Sequence, residues 1–210
     1  MIILLFGISN VGKTETGKLL AKKLKYSFID MDAEIKKRFG TTLENFMIDY
    51  PFPHERYKIK GNVLKDLIKE CKDSNTVIAV SPIYYARNFN PLLDLEHVIA
   101  IELQDSAEHI FKRLIFSDEN DNIYKDDAYK DEHKDYYIKN IHEDLIYAKR
   151  PFKKIKNKYF IDNKPVNQVV DELIDIIHRI NSSPQQKLYP LNNLLTKNIC
   201  IISRKLSIDR

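Results

Sequence analysis

The sequence predicts a three-layer α/β fold, with a five-stranded parallel sheet between helices on both faces. Three observations predict it. Residues 2–6, 76–80 and 98–103 are short, continuous apolar runs without polar alternation, as expected of strands buried on both faces. Segments with helical spacing of apolar residues separate these runs, so strand and helix alternate along the chain. A glycine-bounded loop, residues 7–12, joins the first apolar run to the first helical segment. The length of 210 residues suits one such domain, or one domain plus a tail.

Each element follows from its own residues. After the first strand, residues 13–25 read as a helix with Leu19, Leu20 and Leu24 on one face. Phe28 and Ile29 form a short second strand that ends in Asp30-Met31-Asp32. Residues 33–39 are helical, and Gly40 suits the C-terminal cap. Residues 42–49 give another helical turn or two before Pro51 and Pro53 break the pattern. A longer helix over 54–72 carries Ile59, Val63, Leu64, Leu67 and Ile68. The third and fourth strands are 76–80 and 98–103. Residues 106–116 read as a helix with Ile110, Leu114 and Ile115 inward. Residues 117–131 are polar and poorly periodic, which reads as a mobile segment. Residues 132–149 are helical, with Ile138, Ile141, Leu145 and Ile146 buried, and 159–161 form the fifth strand. A last helix, 165–180, has Pro165 in its first turn and Val169, Leu173, Ile176 and Ile177 inward. Residues 181–186 read as a linker, and 199–202 in the tail suit an edge strand or an oligomer contact.

Composition narrows the function classes. Hydrophobic residues make up 43% and charged residues 30%, a globular composition. No apolar run approaches the roughly 18 residues of a membrane span. The apolar start, residues 1–6, is too short for a secretory signal and has no basic segment before it. Cys71 and Cys200 are far apart and have no metal-like grouping, which points to two reduced thiols and a cytoplasmic location. The six histidines make no ligand set with cysteines or carboxylates. Residues 181–210 hold five basic residues and one acid, which accounts for the whole net charge of +4. The body is therefore neutral and gives no electrostatic case for nucleic acid. Within it, residues 117–135 hold eight acids and three lysines, and residues 149–158 hold six basic residues and no acid.

The chemistry lies in Gly7-Ile8-Ser9-Asn10-Val11-Gly12-Lys13-Thr14, two glycines five residues apart followed by Lys and Thr. This is the P-loop pattern. Gly7 and Gly12 permit a tight loop whose N–H groups converge on phosphate oxygens, and the helix behind it aims its positive end at them. Gly7, Asn10, Val11, Gly12, Lys13, Thr14 and Glu15 form the expected ATP-binding set. Lys13 reaches the β- and γ-phosphates, and the Thr14 hydroxyl ligates Mg²⁺. Asp30 and Asp32, at the carboxyl end of the second strand, admit two readings. Asp30 holds Mg²⁺ through water while Asp32 accepts the proton of an attacking hydroxyl, or one or both cap the helix that follows.

The run from the P-loop through Phe28-Ile29-Asp30-Met31-Asp32, Glu34-Ile35 and Gly40-Thr41-Thr42-Leu43-Glu44-Asn45-Phe46 resembles the shikimate kinase family of P-loop small-molecule kinases. Arg150-Pro151-Phe152, leading eleven residues on to Asp162, is similar to that family's approach to its last strand. The resemblance implies strand order 2-3-1-4-5, an ATP site at the P-loop and a mobile lid at about 117–135. It implies that Asp32 binds the acceptor hydroxyls, that Arg113 contacts ATP, and that Arg56 with Lys149 or Arg150 binds the acceptor. The expected activity is transfer of the γ-phosphate of MgATP to a small-molecule hydroxyl, by a monomer or homodimer. Two departures mark an altered acceptor pocket: Ser81-Pro82-Ile83 stands where the family carries three glycines, and residues 117–131 contain no arginine. Nucleoside or nucleotide kinases and a catalytically weak ATP-binding module remain open alternatives, and Tyr50, Phe52, Tyr57, Tyr84 and Tyr85 offer rings to stack a base.

Overall fold

The computed structural model describes residues 1–118 and 120–182; the basic tail from residue 183 on, with residues 199–202, lies outside the described residues. The elements in order are β1 (Ile2–Phe6), α1 (Lys13–Leu24), β2 (Ser27–Asp30), α2 (Met31–Phe39), α3 (Leu43–Asp49), α4 (Pro53–Glu70) and β3 (Thr76–Ala79). Two single 3-10 turns precede β4 (Val98–Gln104), and α5 (Ala107–Lys112), β5 (Phe116–Ser117), β6 (Ile123–Tyr124), α6 (Asp127–Glu132) and α7 (Lys134–Lys149) follow. The chain closes with β7 (Asn157–Phe160) and α8 (Val166–Ser182). It divides into two compact units, Met1–Ile174 and Asp175–Arg210, and the boundary falls within α8.

Five strands form one parallel sheet in the order β2-β3-β1-β4-β7, with helices on both sides. β7 is the fifth strand of that sheet in chain order, so the expected order holds. Sequence pattern explains who sits where. β1 is wholly apolar and occupies the centre, between β3 and β4, with Ile2 opposite both Thr76 and Val98. Its five side chains are all buried. The edge strands β2 and β7 carry Ser27, Asp30, Asn157 and Lys158 and are only partly covered. Beyond the carboxyl end of β1, Phe6, Phe89 and Phe152 pack ring to ring at 5.1–5.9 Å, fixing the floor under the loops that follow the strands.

Three expectations need correction. α5 stops at Lys112, so Ile115 is not core but 44% exposed. In α7 the inward stripe is Ile138, Ile141, Leu145 and Ala148, spaced three and four apart, which leaves Ile146 on the far side and 65% exposed. The stretch read as lacking periodicity holds a two-stranded antiparallel ribbon, Phe116 opposite Tyr124 and Ser117 opposite Ile123, and then α6. Strands of two residues and a helix of six are too short to show a period. They are built instead from local bonds of acidic side chains to backbone: Asp118 accepts from the Asn120 and Asn122 N–H groups, and Asp126 caps α6 at Tyr129 N.

Candidate active site

The loop between β1 and α1 takes its shape from its glycines. Gly7 has φ +145°, and a Cβ there would lie 2.7 Å from the Leu103 carbonyl oxygen, so a side chain is excluded both by conformation and by space. Asn10 at φ 59° and Gly12 at φ 109° complete the turn, while Val11 drops into the core as its anchor. No side chain caps α1, so the N–H groups of its first turn face outward at the loop. Lys13 folds back under the loop and donates to the Gly7 and Ile8 carbonyls at 3.1 and 2.7 Å. Burial pulls its pKa down to about 8, against the raising pull of Asp32 and Asp30 and with a further lowering push from Lys60.

Gly17 sets the next relation. A Cβ on it would sit 2.6 Å from the Phe28 ring, so α1 lies directly on β2. That approach brings the Thr14 hydroxyl onto Asp30 Oδ2 at 2.6 Å. Asp30 also caps α2, its Oδ1 accepting from Asp32 N at 2.9 Å and Ala33 N at 3.4 Å. The cap and the Thr14 contact thus use different oxygens of one carboxylate, and the two readings of Asp30 do not compete. Thr14 Oγ1 and Asp30 Oδ2 are hard oxygen donors on a cavity wall, the donor type that Mg²⁺ takes together with phosphate and water. Among the described residues no three His, Cys, Asp or Glu side chains cluster as a metal set.

A cavity of about 1030 Å³ opens above the carboxyl ends of the strands. Asn10, Gly12, Lys13, Thr14, Glu15, Asp30, Asp32 and Arg113 line it. Gly7 and Val11 shape the loop from beneath and are not in the wall. Arg113 closes α5 and is held by the fully buried Asp105, whose Oδ2 accepts from it at 2.6 Å. Burial would raise the Asp105 carboxyl, but bonds from Arg113, His109 and Ser106 together hold it below the ordinary range.

The acceptor-side cations behave otherwise. Arg56 donates to the Tyr50 and Pro51 carbonyls at 2.6 and 2.8 Å, bracing the turn between α3 and α4. Lys149 and Arg150 are exposed, and none of the three lines the cavity. The rings of Tyr50, Phe52, Tyr57, Tyr84 and Tyr85 are also absent from its wall. Tyr57 packs edge-on against Tyr84 and Tyr85, and Tyr84 against Tyr147, as an aromatic cluster of the fold. Sequence reading missed Lys60, whose ammonium donates to Ser81 Oγ at 2.7 Å and responds to the charge of Asp32. Its spacing four residues after Arg56 was the available signal. It also missed Asp105 as the anchor of Arg113, and Asp121 of the ribbon, which accepts from Leu43 N at 3.0 Å and pairs with Lys36.

Comparison with known proteins agrees with this geometry. The family model for shikimate kinase matches residues 9–178. The shikimate kinase of Bacillus subtilis is 25% identical over 164 residues, covering 66% of this chain and 88% of that one. Among solved structures, shikimate kinase from Aquifex aeolicus superposes with a TM-score of 0.63 at 24% identity, over 87% of this chain and 99% of that one. Shikimate kinase from Acinetobacter baumannii, in complex with shikimate, gives a TM-score of 0.65 at 18% identity, over 87% and 95% of the two chains. The structural likenesses show the fold, and the family match runs from within the P-loop through the ribbon and on into α8. The chain belongs to the shikimate kinase family and is an ATP- and Mg²⁺-dependent phosphotransferase acting on a small-molecule hydroxyl.

Proposed function

We propose that the chain transfers the γ-phosphate of MgATP to a hydroxyl of shikimate, with Asp32 at the accepting hydroxyl. The observation that carries this reading is the position of Asp32. It lines the same cavity as the P-loop, sits in the first turn of α2, and is close enough to raise the Lys13 pKa. Family membership and the solved structure of a shikimate kinase in complex with shikimate support that acceptor. We read residues 1–180 as the kinase domain, 117–135 as its lid and 181–210 as a basic tail. We read the protein as a cytoplasmic monomer or homodimer; among the described residues no helix is long and apolar enough to cross a membrane, and Cys71 is a free thiol.

The residues divide the work as follows. Backbone N–H groups of the loop and of the first turn of α1 receive phosphate oxygens. Lys13 exchanges its two carbonyl partners for the β- and γ-phosphates. Thr14 and, through water, Asp30 would hold Mg²⁺, which would neutralise charge on those phosphates. Glu15, exposed at the rim and paired with Lys18, borders the ATP side, and Arg113 is presented there by Asp105. Asp32 orients the acceptor hydroxyl and takes its proton as the new O–P bond forms, while the broken bond leaves its electron pair on ADP. Arg56 joins the acceptor side only by giving up its carbonyls, and Lys149 and Arg150 only by approaching the cavity.

The test is Asp32→Asn. Turnover with shikimate should fall by at least about 100-fold with ATP affinity retained. Loss of ATP affinity with unchanged turnover would contradict the acceptor role.

A further inference from the structure

The acidic run and the basic run of the sequence meet at opposite ends of one helix, α7. Asp131, Glu132 and Asp135 stand at its start, and Lys149, Arg150 and Lys153 at its end. All six are exposed, and among the described residues none makes an ion pair. The helix dipole favours this polarity, but only for charges in the first and last turns, Asp135 and Lys149. The charges beyond those turns need another reason.

The side of α7 that faces away from the core supplies one. Its inward stripe is Ile138, Ile141, Leu145 and Ala148. Directly opposite run Tyr136, Lys139, Glu143, Ile146 and Arg150, spaced alternately three and four apart. That spacing is the seam along which two helices pack lengthwise. Tyr136 and Ile146 are 61% and 65% exposed, large apolar groups where a solvent face should be polar. Lys139 and Glu143 are also exposed, and their own pairing is loose at 4.0 Å.

We propose that two copies of this chain associate through their α7 helices, packed antiparallel about a two-fold axis level with Ile141. Turned end for end, the seam matches itself. Lys139 falls opposite the partner's Glu143, Tyr136 opposite the partner's Ile146, and Glu132 opposite the partner's Arg150. Each match occurs twice, as an isologous contact requires. The acidic start of each helix then meets the basic end of the other. A parallel arrangement would set Lys139 against the partner's Lys139, and acids against acids. Exposed ion pairs add little affinity, so Tyr136 and Ile146 supply the attraction and the charges supply the direction. One helix pair about 24 Å long makes a small interface, so the dimer is reversible, with half-association at roughly 10–100 µM.

Sedimentation equilibrium of the full chain, over about 1–300 µM, tests it. Wild type should show a monomer–dimer equilibrium that weakens as salt rises. Lys139→Glu and Glu143→Lys each place like charges across the axis, and each should weaken association at least about 10-fold. Mixing these two variants should restore it as a heterodimer, because opposite charges then face each other again. Both variants keep like charges within their own helix, so recovery in the mixture reads the contact between copies alone. The double variant should dimerise as wild type does, and urea midpoints check that every variant folds. A wild-type chain that stays monomeric, a dimer indifferent to both reversals, or a mixture no tighter than either variant alone would overturn the proposal.

Discussion

Lys13 shows how far one residue can be argued. Its charge is needed for phosphate, yet the fold buries it, and burial brings its pKa from 10.5 to about 8. The folded value lies below the unfolded one, so between about pH 8 and 10.5 the unfolded chain binds the extra proton. Lys13 then contributes rising stability to the free protein across that window. ATP binding needs the ammonium back, so its affinity should fall over the same window, with uptake of a proton. Calorimetry at about pH 9 in two buffers of different ionisation enthalpy measures that uptake, and none would contradict the assignment. Lys13→Ala should abolish turnover outright, and full activity in that variant would remove Lys13 from the mechanism. Lys13 and Thr14 were legible because a P-loop fixes residue types at fixed spacing, and Asp30 because it ends the second strand. Arg56 was legible only as a cation near the right place. Its bonds to Tyr50 and Pro51 depend on how the turn after α3 folds, which no local pattern in the sequence encodes.

At the scale of elements, the contact between α1 and β2 assembles the Thr14–Asp30 pair. Gly17 makes that contact possible, since any side chain there would meet the Phe28 ring. Gly17→Val should destabilise the protein by about 1–3 kcal/mol, because a well-packed contact must open. It should also weaken the Mg²⁺ dependence of ATP binding. Urea denaturation reads the first effect, and an unchanged midpoint would show that α1 does not depend on this approach. Strand order followed from resemblance, and the unbroken apolar run of β1 marked it as a strand buried on both faces. The ribbon and α6 did not announce themselves, since elements of two to six residues carry no period. The spacing of Ile146 looked inward only until Ile141, Leu145 and Ala148 defined the stripe that faces the core.

For the molecule as a whole, the ribbon and the acceptor-side helices are tied through Asp121. It accepts from the Leu43 N–H and pairs with Lys36, so the segment over the nucleotide side touches the segment beside the acceptor. The stretch beside the P-loop is acidic, and like charge repels a triphosphate. In the structure Asp118, Asp121 and Asp126 accept backbone N–H groups, and Lys125 and Lys130 line the cavity alongside Asp121, Asp126 and Asp127. Asp121→Ala should speed amide hydrogen exchange in residues 122–126 and leave β1 unchanged. Equal exchange in variant and wild type would show that the tie holds nothing. The central claim is that this cavity moves phosphate from ATP to shikimate. It is tested most directly by ADP release from the full chain with MgATP, alone and then with shikimate, gluconate or a panel of nucleosides and nucleotides. The account predicts release that depends on shikimate. Tight ATP binding without acceptor-dependent release, or release with a nucleoside in preference to shikimate, would contradict it.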